Sequence, residues 1–251
     1  MTSTLQFENT HCAGRFDQSV KLFDTQMDTM MAFSDAIGVT EIDKNARARQ
    51  LKAPGWDAIW GNKGPRDDCG ITIRKEKFEV VYEETYTCSH ATYVNDRGNR
   101  TDSTEAAFQI VKDKKTGELV LLGEVHTPHG MGPELRKDNV RSDVARAYVQ
   151  ITRAYLRRAR ILMKKFKVKL AALSGDWNLD FRLAWVRAWF RKFFGGWKMN
   201  WSYPGLPIDG THGNRVIDGT LLKGLKPVKR RILRRAPGDD HNGYTERLVA
   251  I

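Results

Sequence analysis

Cysteine is scarce in this chain, and sulfur chemistry is excluded early. Cys12, Cys69 and Cys88 are the three thiols among 251 residues. They are too few and too widely spaced for a disulfide framework, and no C-x-x-C pair offers a zinc site, so they read as reduced thiols. Long hydrophobic runs are missing as well: no stretch approaches the roughly 18 apolar residues of a membrane span. Residues 1–7 lack the basic segment and apolar stretch of a secretory signal. A soluble, cytoplasmic protein is expected. The chain has no repeat, low-complexity tract or Pro/Gly/Ser-rich linker long enough to divide it, which predicts a single domain over residues 1–251. Acidic charge is in deficit, with 30 Asp and Glu against 42 Lys and Arg, a net +12. Such a surplus attracts polyanions. Nucleic acid leads the expected partners, and composition leaves phosphorylated small molecules and an acidic membrane face open.

Short apolar runs alternate with longer helical patterns, the signature of sheets covered by helices. Residues 4–9 read as a first strand stopping at Asn9. A helix over 17–36 carries Val20, Phe23, Met27, Met30, Met31 and Phe33 at helical spacing, with the methionines as core packing. A buried strand over 36–42 then ends near Glu41. Strands over 71–74, 78–83, 106–111 and 119–125 form a meander, with turns at 95–99 and 114–117. Asp138 or Asn139 caps a helix reaching Phe166, whose stripe includes Val144, Tyr148, Ile151, Tyr155, Ile161 and Leu162. A short strand over 168–173 runs into Gly175-Asp176-Trp177-Asn178. A helix over 181–194, carrying Leu183, Val186, Trp189, Phe190 and Phe193 toward the core, stops at Gly195-Gly196. Strands over 216–222, 228–233 and 244–251 complete the chain, with Asp239-Asp240-His241 before the last.

Taken singly, the polar residues at these corners have ordinary readings. Asp176 and Asn178 suit a turn, Glu41 a solvated loop, and His126 and His241 a surface or a core. Their order along the chain carries more. Asn9 closes the first strand, Glu41 the second, His126 a middle one, Asp176 and Asn178 a later one, Asp218 begins a penultimate strand, and Asp240-His241 precedes the last. This arrangement resembles the endonuclease/exonuclease/phosphatase family, the DNase I-like metal-dependent phosphodiesterases, over essentially the whole chain. Gly70-Ile71-Thr72-Ile73 also resembles a structural strand of that family. The resemblance implies an α/β fold, a DNase I-like four-layer sandwich of two packed mixed β-sheets flanked by helices.

Hydrolysis of a phosphodiester needs charge on the phosphate offset, a water aimed in line, and a group to take its proton. Hard oxygen ligands suit Mg²⁺, with Mn²⁺ as a substitute, so Glu41 and Asp240 are the expected metal carboxylates. Asp176 is the candidate base. Asn178 and Asn9, as the resemblance implies, hold the phosphate or orient Asp176. His241 donates to a phosphate oxygen, and Asp218 matches the carboxylate that orients this imidazole. His126 matches a phosphate ligand, and His129 falls where relatives place a polar active-site residue. Two departures weaken an abasic-site assignment: His11 stands where those nucleases carry Asp, and His126 where they carry Tyr. Asp239-Asp240-His241 departs mildly from the usual S-D-H.

Charge placement bears on the substrate. Arg153, Arg157, Arg160 and Lys164 form a basic helix stripe, an ordinary outer face. Lys226, Lys229, Arg230, Arg231, Arg234 and Arg235 have no acidic neighbours and run toward Asp240, which five extended residues place within about 17 Å of Arg235. Such a strip suits a polymer whose neighbouring phosphates are held while one is cut. The expected function is therefore a nuclease acting on DNA, or on RNA, and working as a monomer. The same strip serves a nucleotide or inositol phosphate in a phosphatase of the same family, and a non-catalytic nucleic-acid-binding relative is a third reading. Trp177, Trp197 and Trp201 are candidates to stack on a base or sugar.

Overall fold

The computed structural model describes residues 4–13, 20–41, 53–60, 69–89, 93–94, 100–101, 104–128, 143–203, 210–234 and 241–251. Its elements in chain order are β1 (Gln6–Cys12), α1 (Val20–Met31), β2 (Ala36–Thr40), β3 (Trp56–Trp60), β4 (Cys69–Arg74), β5 (Phe78–Ser89), β6 (Tyr93–Val94), β7 (Arg100–Thr101), β8 (Thr104–Asp113), β9 (Leu119–His126), α2 (Asp143–Lys165), β10 (Leu170–Asp176), α3 (Ala184–Phe194), β11 (Lys198–Met199), β12 (Asp218–Lys223), β13 (Leu225–Leu233) and β14 (Gly243–Ala250).

Two six-stranded mixed sheets pack face to face, ordered β13-β14-β1-β2-β4-β3 and β11-β12-β10-β9-β8-β5. Each holds a parallel pair at its centre, β1 with β2 and β9 with β10. Met27, Met30 and Met31 of α1 pack on Ile37, Val39 and Trp56 of the first sheet. Tyr148, Ile151, Tyr155 and Phe190 of α2 and α3 pack on Leu121 and Leu173 of the second. Helix, sheet, sheet and helix make the four layers. Among the described residues no helix is long and apolar enough to cross a membrane.

Some boundaries differ from the sequence expectation, and each difference has a cause. β1 runs on past Asn9 to Cys12, because β14 supplies ladder partners as far as His11, opposite Tyr244. The expected meander is split: β4 pairs with β2 and β3 in the first sheet, whereas β5, β8 and β9 are neighbours in the second. Asp218 begins the third strand from the end, not the penultimate one. Ile161 and Leu183 are 44% and 45% exposed; Ile161 lies off the buried stripe of α2, and Leu183 precedes α3 as its N-cap. The expected turn at 114–117 is present, with Gly117 at φ 76° and Asp113 accepting from the Lys115 and Thr116 amides. The turn at 95–99 and the caps Asp138 and Asn139 lie outside the described residues.

The period of two along each strand sets up the site. One face of β1 reads Leu5, Phe7, Asn9, His11; of β9, Val120, Leu122, Glu124, His126; of β10, Leu170, Ala172, Ser174, Asp176. On β12, which runs the opposite way, the face reads Leu222, Thr220, Asp218. At one end these residues form the apolar contact between the sheets, with Phe78, Ile73 and Leu248. Toward the other end the same faces turn polar, and all but half-buried His126 stay buried. A core that becomes a row of carboxylates and imidazoles in register is a costly arrangement unless the groups are paired.

Candidate active site

Asp176 ends β10, opposite His126 at the end of β9 on one side and Asp218 at the start of β12 on the other. From the first sheet come Glu41, just past β2, and His241, just before β14. His126 Nε2 lies 3.6 Å from Asp176 Oδ2 and 3.8 Å from Glu41 Oε1, and His241 Nε2 lies 3.9 Å from Asp176 Oδ2. The other Asp176 oxygen, Oδ1, accepts the Asn178 backbone N–H at 2.9 Å. Oδ2 is thereby left as the oxygen facing the two imidazoles.

Backbone strain marks the same corner. Glu41 and Asn178 sit at φ 59° and 51°, in the left-handed region. Asn tolerates that conformation, and for Glu it is uncommon. The Asn178 side chain donates to the Thr127 carbonyl at 2.7 Å, tying the turn to the end of β9. Such strain persists where surrounding contacts over-determine it, most often at functional sites.

Behind this corner runs a row of ion pairs. His241 Nδ1 lies 3.0 Å from Asp218 Oδ2, His11 Nε2 lies 3.0 Å from Asp218 Oδ1, and His11 Nδ1 lies 2.9 Å from Glu124 Oε1. Burial alone lowers the pKa of each imidazole. The carboxylates outweigh it, Glu124 and Asp218 raising His11 to about 10, and Asp218, Asp176 and Glu41 raising His241 to about 10. Burial also favours the neutral form of Asp218, but His241 and His11 hold it far below the ordinary carboxylate range. Asp176 goes the other way: burial and the Asp218 charge push it up, against His241 and His126.

Several expected site residues sit elsewhere. Asn9 is one strand level below the corner, buried, donating to Ser174 Oγ at 3.4 Å. At the corner's own level on that strand stands His11. Trp177 is fully buried, the residue after inward-facing Asp176 and so directed to the opposite face; its indole donates to the Gly219 carbonyl at 3.0 Å. Stacking on a substrate is therefore not its role. Arg230 is likewise turned inward, lying over the Trp201 ring at 4.3 Å, donating to the Asn200 carbonyl at 2.6 Å and standing 3.7 Å from Glu246. It neutralises a buried carboxylate and grips no phosphate. Arg231 and Arg234 are exposed. Asp240, His129 and Arg235 lie outside the described residues.

His11, Glu124 and His212 were missed by sequence reasoning as parts of the site. The first two carried a signal, since each shares a strand face with a candidate, His11 two residues after Asn9 and Glu124 two before His126. His212, whose ring meets His241 at 4.7 Å, lies in a loop with no period to read. Trp197 and Trp201 are mostly buried and line a cavity of about 570 Å³ with Phe181, Phe190 and Tyr203. The Trp201 indole donates to the Asp218 carbonyl at 2.6 Å, so this cavity backs onto the site.

A divalent cation fits the donor set. Glu41, Asp176 and His241 each offer an atom, all within 4.8 Å of one another. Two carboxylates suit a hard cation that keeps several waters; His241, charged and donating at both ring nitrogens, stands beside such a cation and is not its ligand.

No sequence-family model and no curated protein sequence matches this chain. Solved structures do match in fold. An endonuclease/exonuclease/phosphatase family protein from Bacteroides thetaiotaomicron superposes with TM-score 0.73 at 17% identity, covering 99% of each chain. A mannosyl-6-phosphatase from the same species gives 0.71 at 18%, covering 97% of this chain and 99% of its own. TDP2 from D. rerio, complexed with a single-strand DNA product, gives 0.65 at 14%, covering 97% and 98%. Two six-stranded mixed sheets between helices, matched over nearly their whole length, identify the fold of this chain as that of the endonuclease/exonuclease/phosphatase proteins.

Proposed function

We propose that this protein belongs to the endonuclease/exonuclease/phosphatase family and is a metal-dependent hydrolase of phosphate esters, a nuclease acting on DNA in preference to RNA, as a single-domain monomer. The observation that carries this reading is the convergence of His126 and His241 on one oxygen of Asp176, with a Glu41 carboxylate oxygen within 4.8 Å of the Asp176–His241 pair. Asp176 Oδ2 takes the proton of the attacking water, with Oδ1 committed to the Asn178 amide. A raised pKa improves its match to that task near neutral pH. His241, kept charged by Asp218, donates from Nε2 to a phosphate oxygen, and His126 donates beside it. Glu41 would hold Mg²⁺ or Mn²⁺, with Asp240 as the second carboxylate; a cation there offsets phosphate charge. A non-catalytic role is disfavoured, because buried charge of this density is costly to keep without use.

The net charge of +12 and exposed Arg231 and Arg234 favour a polyanion. The similar TDP2 structure is complexed with a single-strand DNA product, which supports nucleic acid as the substrate class. The similar mannosyl-6-phosphatase favours a second reading, a phosphatase for nucleotides, inositol phosphates or other small esters.

The test offers purified protein plasmid DNA, single strands, RNA, an abasic duplex and inositol phosphates, with Mg²⁺ or with EDTA. Cleavage of nucleic acid that chelation abolishes is expected. Undiminished cleavage by metal-stripped protein in EDTA sinks the mechanism, and turnover confined to inositol phosphates moves the assignment to the second reading.

A further inference from the structure

His11 and Glu124 form a buried pair that the reaction described above does not use. His11 is fully buried with both ring nitrogens against carboxylates, Glu124 on β9 and Asp218 on β12, and with Tyr244 of β14 tilted against its ring at 5.5 Å. Nε2 is hydrogen-bonded to Asp218, whereas Nδ1 and Glu124 Oε1 meet at 2.9 Å as an ion pair without hydrogen-bond geometry. One oxygen of Asp218 is thus committed to His11, and the other is left to meet His241 Nδ1. Glu124 is seated just as tightly. A Cβ on Gly38, across the sheet interface, would fall 1.8 Å from Glu124 Oε2. Glycine is the residue that leaves room there.

We propose that His11 and Glu124 are positioning residues: through Asp218 they fix the ring of His241 that meets the phosphate. The proposal rests on the reading of His241 as a phosphate donor. Stability alone is a poor reason for the pair, since well-packed apolar residues generally replace a buried ionic cluster at no loss. The row Glu124, His11, Asp218, His241, Asp176 alternates carboxyl groups and imidazoles from the sheet interior to the Asp176 oxygen, with burial and neighbouring carboxylates raising the pKa of the two end members. A carboxylate with a single partner can turn about its bond to Cβ, and one pinned on both oxygens cannot.

The test compares His11→Asn and Glu124→Gln with wild type in two ways. Turnover of bis(p-nitrophenyl) phosphate with Mg²⁺ should fall about 10- to 100-fold, the usual effect of losing such a support, with KM kept. Adding His11→Asn to His241→Ala should cost nothing further, since the pair acts through His241. A merely structural pair would lower activity in both backgrounds. Independently, the downfield proton resonance of the His241 ring N–H, assigned by its loss in His241→Ala, should move in both variants. Folded variants with wild-type kcat and an unmoved resonance overturn the proposal. Should His11→Asn fail to fold, the isosteric Glu124→Gln carries both readouts. If wild type turns over no phosphate ester, the hydrolase reading fails, and the resonance alone decides the positioning role.

Discussion

Asp176 and Asp218 are register partners on β10 and β12, yet their carboxyl groups are driven in opposite directions, the first up and the second down. Asp218 has an imidazole on each oxygen, whereas the nearest imidazoles to Asp176 stand 3.6 and 3.9 Å away. Neighbouring groups whose pKa values are pushed apart are the usual basis for dividing acid and base work. In the proposed reaction the lowered member, Asp218, supports and the raised member, Asp176, takes the proton.

Asp176→Asn should lower kcat by orders of magnitude with KM largely kept, since it removes proton acceptance and preserves shape. Steady-state kinetics on the small diester decide this. A variant with half the wild-type rate would mean that another group is the base.

The paired histidines make stability depend on alkaline pH. Both His11 and His241 are raised in the fold from the ordinary 6.5 to about 10. Their contribution is fully present below pH 6.5 and is lost as pH rises through about 10. Asp218, lowered in the fold, adds stability above its ordinary 3.8 that is lost in acid. Urea midpoints measured from pH 7 to 10 should fall more steeply for wild type than for His11→Asn. Parallel curves would show that His11 gains no proton affinity on folding.

The basic strand divides by burial. Neutralising exposed Arg231 and Arg234 should weaken nucleic-acid binding and reduce the salt slope by about one for each phosphate that is no longer gripped. Arg230→Gln should leave the slope alone and cost about 3–5 kcal/mol of stability, because Glu246 stays buried without its countercharge. Binding across a salt series together with urea unfolding separates the two effects. A slope change from Arg230→Gln alone would place its guanidinium on the ligand.

Much of the architecture was legible because it rests on local period. The stripes of α2 and α3, the runs of β9 and β10 and the core methionines of α1 follow from apolar spacing. β3 is not marked by the sequence, because Trp56–Trp60 is a run of only five residues broken by Asp57. The strip over β13 shows what local reading cannot weigh: Lys226, Lys229 and Arg231 face solvent on an edge strand, where charge and Pro227 also discourage pairing with another chain, and Arg230 between them faces the core.

By itself the sequence determined which residues to bring forward as site candidates. Glu41, His126, Asp176, Asn178, Asp218 and His241 stand out by their order at strand ends, and the structure brings all six to one edge of the two sheets. Only the tertiary structure decided how they pair. Ladder register put His11 at the level of the corner and left Asn9 below it. Packing across the sheets set Glu124 on Gly38 and against His11, a contact no spacing encodes. The physical reason is the length scale of each signal. A strand's period says which residues share a face, whereas the partner of a buried charge depends on how two sheets meet.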